Sequence, residues 1–148
     1  MSTETDGIDF AAVDPTEFAR TVGQTPDAEL REAMRGPMRG EILAEVFRRM
    51  EQHFRPGSGS DAVIHWTITG EDGVEDDRWE VVVGGGKCTA RTDLASEPRV
   101  TLKLDGVNFL RLVTGNAIGP MLFMSGKLKI EGDLMFAAQI QSMFVLPG

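Results

Sequence analysis

Ala62-Val63-Ile64-His65-Trp66-Thr67-Ile68-Thr69 decides the fold of this chain. Its even positions are Ala62, Ile64, Trp66 and Ile68; its odd positions are Val63, His65, Thr67 and Thr69. A period of two is that of a strand with one apolar face. The same reading continues outward. Arg78–Val83 sets Trp79, Val81 and Val83 against Arg78, Glu80 and Val82, and Lys87–Asp93 alternates Cys88, Ala90 and Thr92 with polar residues. Val100–Asp105 sets Val100, Leu102 and Leu104 against Thr101, Lys103 and Asp105, and Lys127–Glu131 sets Leu128 and Ile130 against Lys127, Lys129 and Glu131. Five half-buried strands predict a mainly antiparallel sheet with one wet face, because parallel strands buried on both sides read as unbroken apolar runs. Gly70–Asp77 and Gly84-Gly85-Gly86 are too short for crossover helices, so the first three strands form a meander.

Upstream of Ala62 the period is helical. Ile42, Leu43, Val46, Phe47, Met50 and Phe54 form one stripe of a helix over residues 39–54, closed by Pro56-Gly57-Ser58-Gly59-Ser60. Asp14-Pro15-Thr16-Glu17 and Thr25-Pro26-Asp27 read as starts of two shorter helices ending near Gly23 and Gly36. Residues 1–13 are acidic and read as a disordered lead-in. Downstream, Asp105 caps a helix with Phe109, Leu112 and Val113 on its inner side; a second spans about Ala117–Ser125; Gly132-Asp133 opens a third over Leu134–Leu146. The expected architecture is α+β, a five-stranded sheet with helices over one face. One domain spans 1–148, with an N-terminal helical extension over 14–37 and the core over 38–148.

The 148 residues carry a net charge of -8, with 11 acids and 7 bases in residues 1–60, and 12 and 8 in 61–148. Neither half has a basic excess for nucleic acid or an anionic membrane. No apolar run reaches the ~20 residues of a membrane span. The N-terminus lacks a signal peptide's apolar region, so a cytoplasmic location is expected. Cys88 stands alone, which forbids an internal disulfide.

Catalytic patterns fail in turn. Gly84-Gly85-Gly86-Lys87-Cys88 lacks the hydroxyl that follows the lysine of a phosphate loop, and no G-x-S-x-G elbow occurs. His53, His65 and Cys88 form no metal set at a standard spacing. No catalytic residue, metal or cofactor is therefore expected. What stands out is an apolar excess. The 134–146 helix is greasy nearly all round, and four of the eight methionines fall in residues 121–143. A helix on one sheet face needs only a stripe, and methionine suits surfaces that repack around varied shapes. Two readings stay open on pattern alone: tight core or dimer interface, and a ligand cavity.

Asp105-x3-Phe109-x2-Leu112-x2-Gly115, followed by Phe123-Met124-Ser125-Gly126-Lys127-Leu128-Lys129-Ile130-x-Gly132-Asp133, resembles the sterol carrier protein type 2, or non-specific lipid-transfer, family. Ser96-Glu97-Pro98-Arg99-Val100-Thr101-Leu102 fits the approach to the family's fourth strand. The resemblance covers about residues 38–148. It implies an apolar tunnel between sheet and helices that takes fatty acids, acyl-CoA, sterols or phospholipids. Peroxisomal members end in a Ser-Lys-Leu type signal, whereas this chain ends Leu146-Pro147-Gly148. The expected function is non-catalytic carriage of a lipid-like molecule. Its expected site is Trp66, Ile68, Phe109, Leu112, Val113, Met121, Leu122, Met124, Phe136, Ile140, Met143 and Phe144. The alternative is a ligand-free module that dimerises or stabilises a partner enzyme.

Overall fold

A computed structural model describes residues 15–53, 61–70 and 73–140. Among the described residues, three helices, α1 (Pro15–Gln24), α2 (Asp27–Ala33) and α3 (Arg39–His53), precede the sheet. Strands β1 (Ala62–Thr69), β2 (Asp77–Gly84), β3 (Lys87–Arg91) and β4 (Val100–Asp105) follow, then α4 (Gly106–Val113), α5 (Gly119–Met124), β5 (Leu128–Gly132) and α6 (Leu134–Ala137). The sheet order is β3-β2-β1-β4-β5, with β1 and β4 parallel and the other pairs antiparallel. The meander of β1, β2 and β3 is as the short turns require.

The parallel pair has a consequence for the outer face. The chain must return from β3, at one edge, to β4 beyond β1. That is three strand spacings, about 14 Å, and residues 92–99 span it with their reach of roughly 26 Å. They cross the face turned away from the helices and seal Glu80 beneath them, with no exposed surface. The outer face is thus wet in part only. Glu80 accepts from Arg91 Nη2 (2.7 Å), Ala95 N (2.7 Å) and Ser96 N (3.1 Å), and His65 Nε2 lies 3.3 Å away. Burial alone would push this carboxyl up. The Arg91 hydrogen bond, the two backbone N–H groups and the Arg91 charge outweigh it and hold the group at about 2.

The inner face carries the core. Ile64, Trp66, Ile68, Val81, Leu102 and Leu104 face Leu43, Phe47, Phe109 and Leu110 from the helices, all buried. Phe47 is its centre: it stacks on Trp79 at 4.3 Å and on Phe109 at 5.3 Å between centroids, and meets Trp66 edge-on at 6.3 Å. Cys88 is buried beside this layer. Burial and the Glu51 carboxylate raise its thiol to about 12, which keeps it a neutral packing group.

Local signals act as their chemistry requires. Asp105 accepts from Asn108 N at 2.7 Å and Asp133 from Phe136 N at 2.9 Å, each capping the helix that follows. Gly132 has φ +105°, and a Cβ there would lie 2.5 Å from Arg99 O, so the glycine is obligatory. Thr25 departs from its expected capping role. Its hydroxyl donates back to Thr21 O at 2.6 Å, and α2 starts at Asp27 without a side-chain cap. Asp14 lies outside the described residues.

Helices α1 and α2 pack on α4, and Arg111 fastens them. Its guanidinium donates to Asp27 Oδ1 (3.1 Å from Nε), Val22 O (3.2 Å) and Thr25 O (3.0 Å). Arg111→Ala is expected to cost about 1–2 kcal/mol, the worth of a partly exposed charged cluster. It should also loosen residues 15–33 selectively. Amide hydrogen exchange checks this: faster exchange in α1 and α2 with unchanged strands is the expected pattern, and uniform acceleration would contradict it.

Candidate functional site

Between the sheet's inner face and helices α4, α5 and α6 lies a cavity of about 200 Å3. Trp66, Leu102, Leu128 and Ile130 form its floor; Met50, Leu112 and Val113 form one wall; Gly119, Pro120 and Phe123 of α5, with Leu134, Ala137, Ala138 and Ile140, form the other. Each contribution follows from local structure. Strand alternation turns Leu102, Leu128 and Ile130 inward together, since β4 and β5 pair Leu102 with Ile130 and Leu104 with Leu128. On α4, Leu112 and Val113 lie one turn beyond Phe109, on the same side of the helix. Pro120 opens α5 at a position where a helix tolerates it, and it presents its ring to the cavity.

Of the residues expected from sequence, Trp66, Leu112, Val113 and Ile140 line this cavity. Ile68, Phe109, Leu122 and Phe136 are buried but belong to the surrounding core. Phe109 is taken up by the Phe47 aromatic cluster, and Phe136 by Arg99, whose guanidinium lies 4.4 Å from the ring centroid. Met121 and Met124 point outward, 64% and 84% exposed. A helix as short as α5 turns only one face inward, and Gly119, Leu122 and Phe123 occupy it. Met143 and Phe144 lie outside the described residues. The expected helix Leu134–Leu146 is described as α6, Leu134–Ala137, followed by a turn to Ile140. Met50, Leu102, Gly119, Pro120, Phe123, Leu128, Ile130, Leu134, Ala137 and Ala138 also line the cavity. For Leu102, Leu128 and Ile130 the signal was present in the strand alternation, since they share a face with Trp66.

The rim is apolar too. Phe123 and Leu134 line the cavity while 44% and 54% exposed, and Met121, Met124 and Met135 stand around them in solvent. Among the described residues, no lining side chain carries a charge. Arg111, beside the lining residue Leu112, is engaged with α1 and α2, and Arg99 with Asp133 at 2.9 Å. Among the described residues no helix is long and apolar enough to cross a membrane, and no group of three or more His, Cys, Asp or Glu is placed to hold a metal.

A family model described as the SCP-2 sterol transfer family matches residues 55–145, more than half of the chain. The chain belongs to the SCP-2 sterol transfer family. Relatives and solved structures extend this. The oleate-induced peroxisomal protein POX18 of Candida maltosa is 35% identical over 85 residues, 57% of this chain and 66% of that one. The chain therefore spans just under two thirds of this relative. Three solved structures share the fold. Sterol carrier protein 2 of Yarrowia lipolytica, in its apo form, superposes with a TM-score of 0.50 at 21% identity, over 91% of this chain and 94% of its own. Sterol carrier protein 2 of Aedes aegypti in complex with palmitate gives 0.50 at 16% identity, over 69% and 89%. The inverting sec-alkylsulfatase Pisa1 of a Pseudomonas species gives 0.60 at 18% identity, over 72% of this chain but 17% of the sulfatase. The SCP-2 fold thus occurs both as most of a chain and as a small part of a large enzyme.

Proposed function

We propose that this SCP-2 family chain binds and carries an apolar, lipid-like molecule in the cavity under α4, α5 and α6, without catalysis. The carrying observation is the cavity itself: a pocket whose described lining is uncharged and whose rim is apolar, in a chain of net charge -8. The family and the palmitate complex of the mosquito protein support the class of ligand. A volume of about 200 Å3 lies below the ~300–1,000 Å3 usual for small-molecule sites. A long chain is therefore admitted by displacing the outer wall, Phe123 and Leu134–Ile140. A cytoplasmic location belongs to this reading; fractionation decides it against the peroxisomal location in the name of the Candida relative.

Titration of delipidated protein with n-alcohols of rising length tests the proposal. Each methylene moved into an apolar lining is worth about 0.8 kcal/mol. Affinity is therefore expected to rise about fourfold per carbon until the cavity is full, then level off. Ala138, exposed and in ordinary right-handed helical geometry, lines the outer wall. Ala138→Trp should fill the space and weaken binding more than tenfold with little change in melting temperature. Absence of saturable binding at every chain length would remove the carrier reading.

The exposed apolar side chains on α5 and α6 favour a second reading, an accessory module that docks a partner enzyme or a second copy. It predicts concentration-dependent assembly without ligand, which sedimentation velocity measures. Assembly abolished by Met124→Glu, with no lipid binding in the parent, would establish it over the carrier.

A further inference from the structure

The outer face of the sheet carries a second recess, on the side away from the apolar cavity. Its volume is about 480 Å3, within the ~300–1,000 Å3 usual for small-molecule sites. Strand register builds its floor. Arg78 on β2 pairs with Thr67 on β1, Thr67 with Lys103 on β4, and Lys103 with Lys129 on β5. Paired residues share a face, so three cations and a threonine form one row across four strands, about 14 Å long. All four line the recess. Thr101 lines it too, two residues along β4 from Lys103, with Glu131 paired opposite. Among the described residues Glu131 is the one acid in the lining, against three fixed cations. Leu94 of the 92–99 crossover stands at the side.

Two features separate this row from an ordinary solvated strand face. Lys103 and Lys129 are directly opposed, the arrangement in which like charges destabilise a sheet. And Arg78, Lys103 and Lys129 make no ion pair among the described residues, although the chain has 23 acids to 15 bases. An anion seated between the lysines reverses the sign of their interaction.

We infer that the outer recess binds a small soluble anion bearing a diphosphate group, held by Arg78, Lys103 and Lys129. The inference stands apart from the lipid reading, which concerns the other face. The class follows from the donors. Arginine offers a planar fork to two phosphate oxygens, and lysines offer point charges. Thr67 and Thr101 add hydroxyl donors between them. A single carboxylate supplies one charge and two oxygens to a row this long. Two linked phosphoryl groups supply several charges and enough oxygens to reach the lysines at one end and Arg78 at the other. A flat anionic bilayer fits less well. Asp93 and Glu97 stand exposed on the crossover beside the recess, and a lipid surface would meet these acids on its way to the floor.

Calorimetric titration of the full chain with inorganic diphosphate, orthophosphate and citrate tests it. Diphosphate is expected to bind one-to-one and more tightly than the other two, with affinity falling as salt rises from about 10 to about 150 mM. Lys103→Gln, Lys129→Gln and Arg78→Gln should each weaken it about three- to tenfold, as loss of one partly exposed charge-assisted contact does. Lys87→Gln makes the same change of charge in the β2–β3 turn, outside the recess, and should leave affinity within about twofold. Lys103→Gln also relieves the opposed lysines, so its melting temperature should not fall while its binding does. In wild type, backbone amide resonances of Thr67, Thr101, Lys103 and Lys129 should move with diphosphate, a readout that needs no variant. No saturable diphosphate binding at low salt would overturn the inference. So would equal weakening by Lys87→Gln, which reduces the effect to diffuse charge, or amide shifts confined to other elements. Citrate binding as tightly as diphosphate would overturn the phosphoryl class. Capture by phosphatidylglycerol vesicles without diphosphate binding would make the face a membrane contact instead. Diphosphate binding in a protein that takes up no n-alcohol leaves this inference standing and defeats the carrier reading; the converse does the reverse.

Discussion

Arg39→Met is expected to lower the stability of the fold by about 3 kcal/mol, and its melting temperature by roughly 10 °C. Arg39 is 6% exposed and is the junction of three parts of the chain. Its Nε donates to Asp77 at 2.6 Å, at the start of β2. Nη1 donates to Met34 O at 2.9 Å, where α2 ends, and Nη2 to Ile68 O at 2.8 Å, at the end of β1. Methionine fills a similar volume and supplies no donor. The Asp77 carboxylate is partly exposed and regains water. The Met34 and Ile68 carbonyls are bonded to Arg39 in buried positions, and each unsatisfied one costs about 1–3 kcal/mol. Arg39→Lys separates charge from geometry. A lysine keeps the charge but cannot present a planar fork to three acceptors, so it should recover less than half of the loss. Thermal and urea unfolding measure both. A loss below about 1 kcal/mol in Arg39→Met would show that water replaces the guanidinium.

Much of this was legible in sequence, for a physical reason: strand alternation and helix caps are local. Ile64, Trp66 and Ile68 had to share a face, and Asp105 and Asp133 had to cap, whatever the tertiary structure. The parallel pairing of β1 with β4 was not legible, because it is decided by residues 92–99, which carry no periodic signal. Glu80 shows the cost of reading a strand face without its covering: alternation places it outward, and the crossover buries it. The cavity was legible as an apolar surplus and only partly as a residue set. Burial follows from pattern, but which buried residue meets another ring and which meets empty space is a property of packing. Phe109 and Ile130 illustrate it. Both are inward-facing, one packed on Phe47 and the other on the cavity.

Glu80→Gln is expected to cost about 2–3 kcal/mol at neutral pH, as loss of a buried charged acceptor does, and to remove a defined part of the acid sensitivity. Glutamine is nearly isosteric. Its oxygen can still receive Ala95 N and Ser96 N, but its amide then turns N–H donors toward Arg91, itself a donor only. The sign of the pH effect follows from the direction of the shift. The Glu80 carboxyl is held at about 2 against an ordinary value of 4.5. Its contribution to stability is therefore complete above about 4.5 and is lost as pH falls from there through about 2. Wild type and Glu80→Gln should differ most at neutral pH and converge on acidification across that window, as followed by urea unfolding at stepped pH. The crossover supplies a local readout: the Ala95 and Ser96 amides should exchange faster in the variant, while β1 and β4 keep their protection. A stability difference that stays constant from neutral pH down to about 2 would mean that the Glu80 charge contributes nothing, and that shape alone holds residues 92–99 across the sheet.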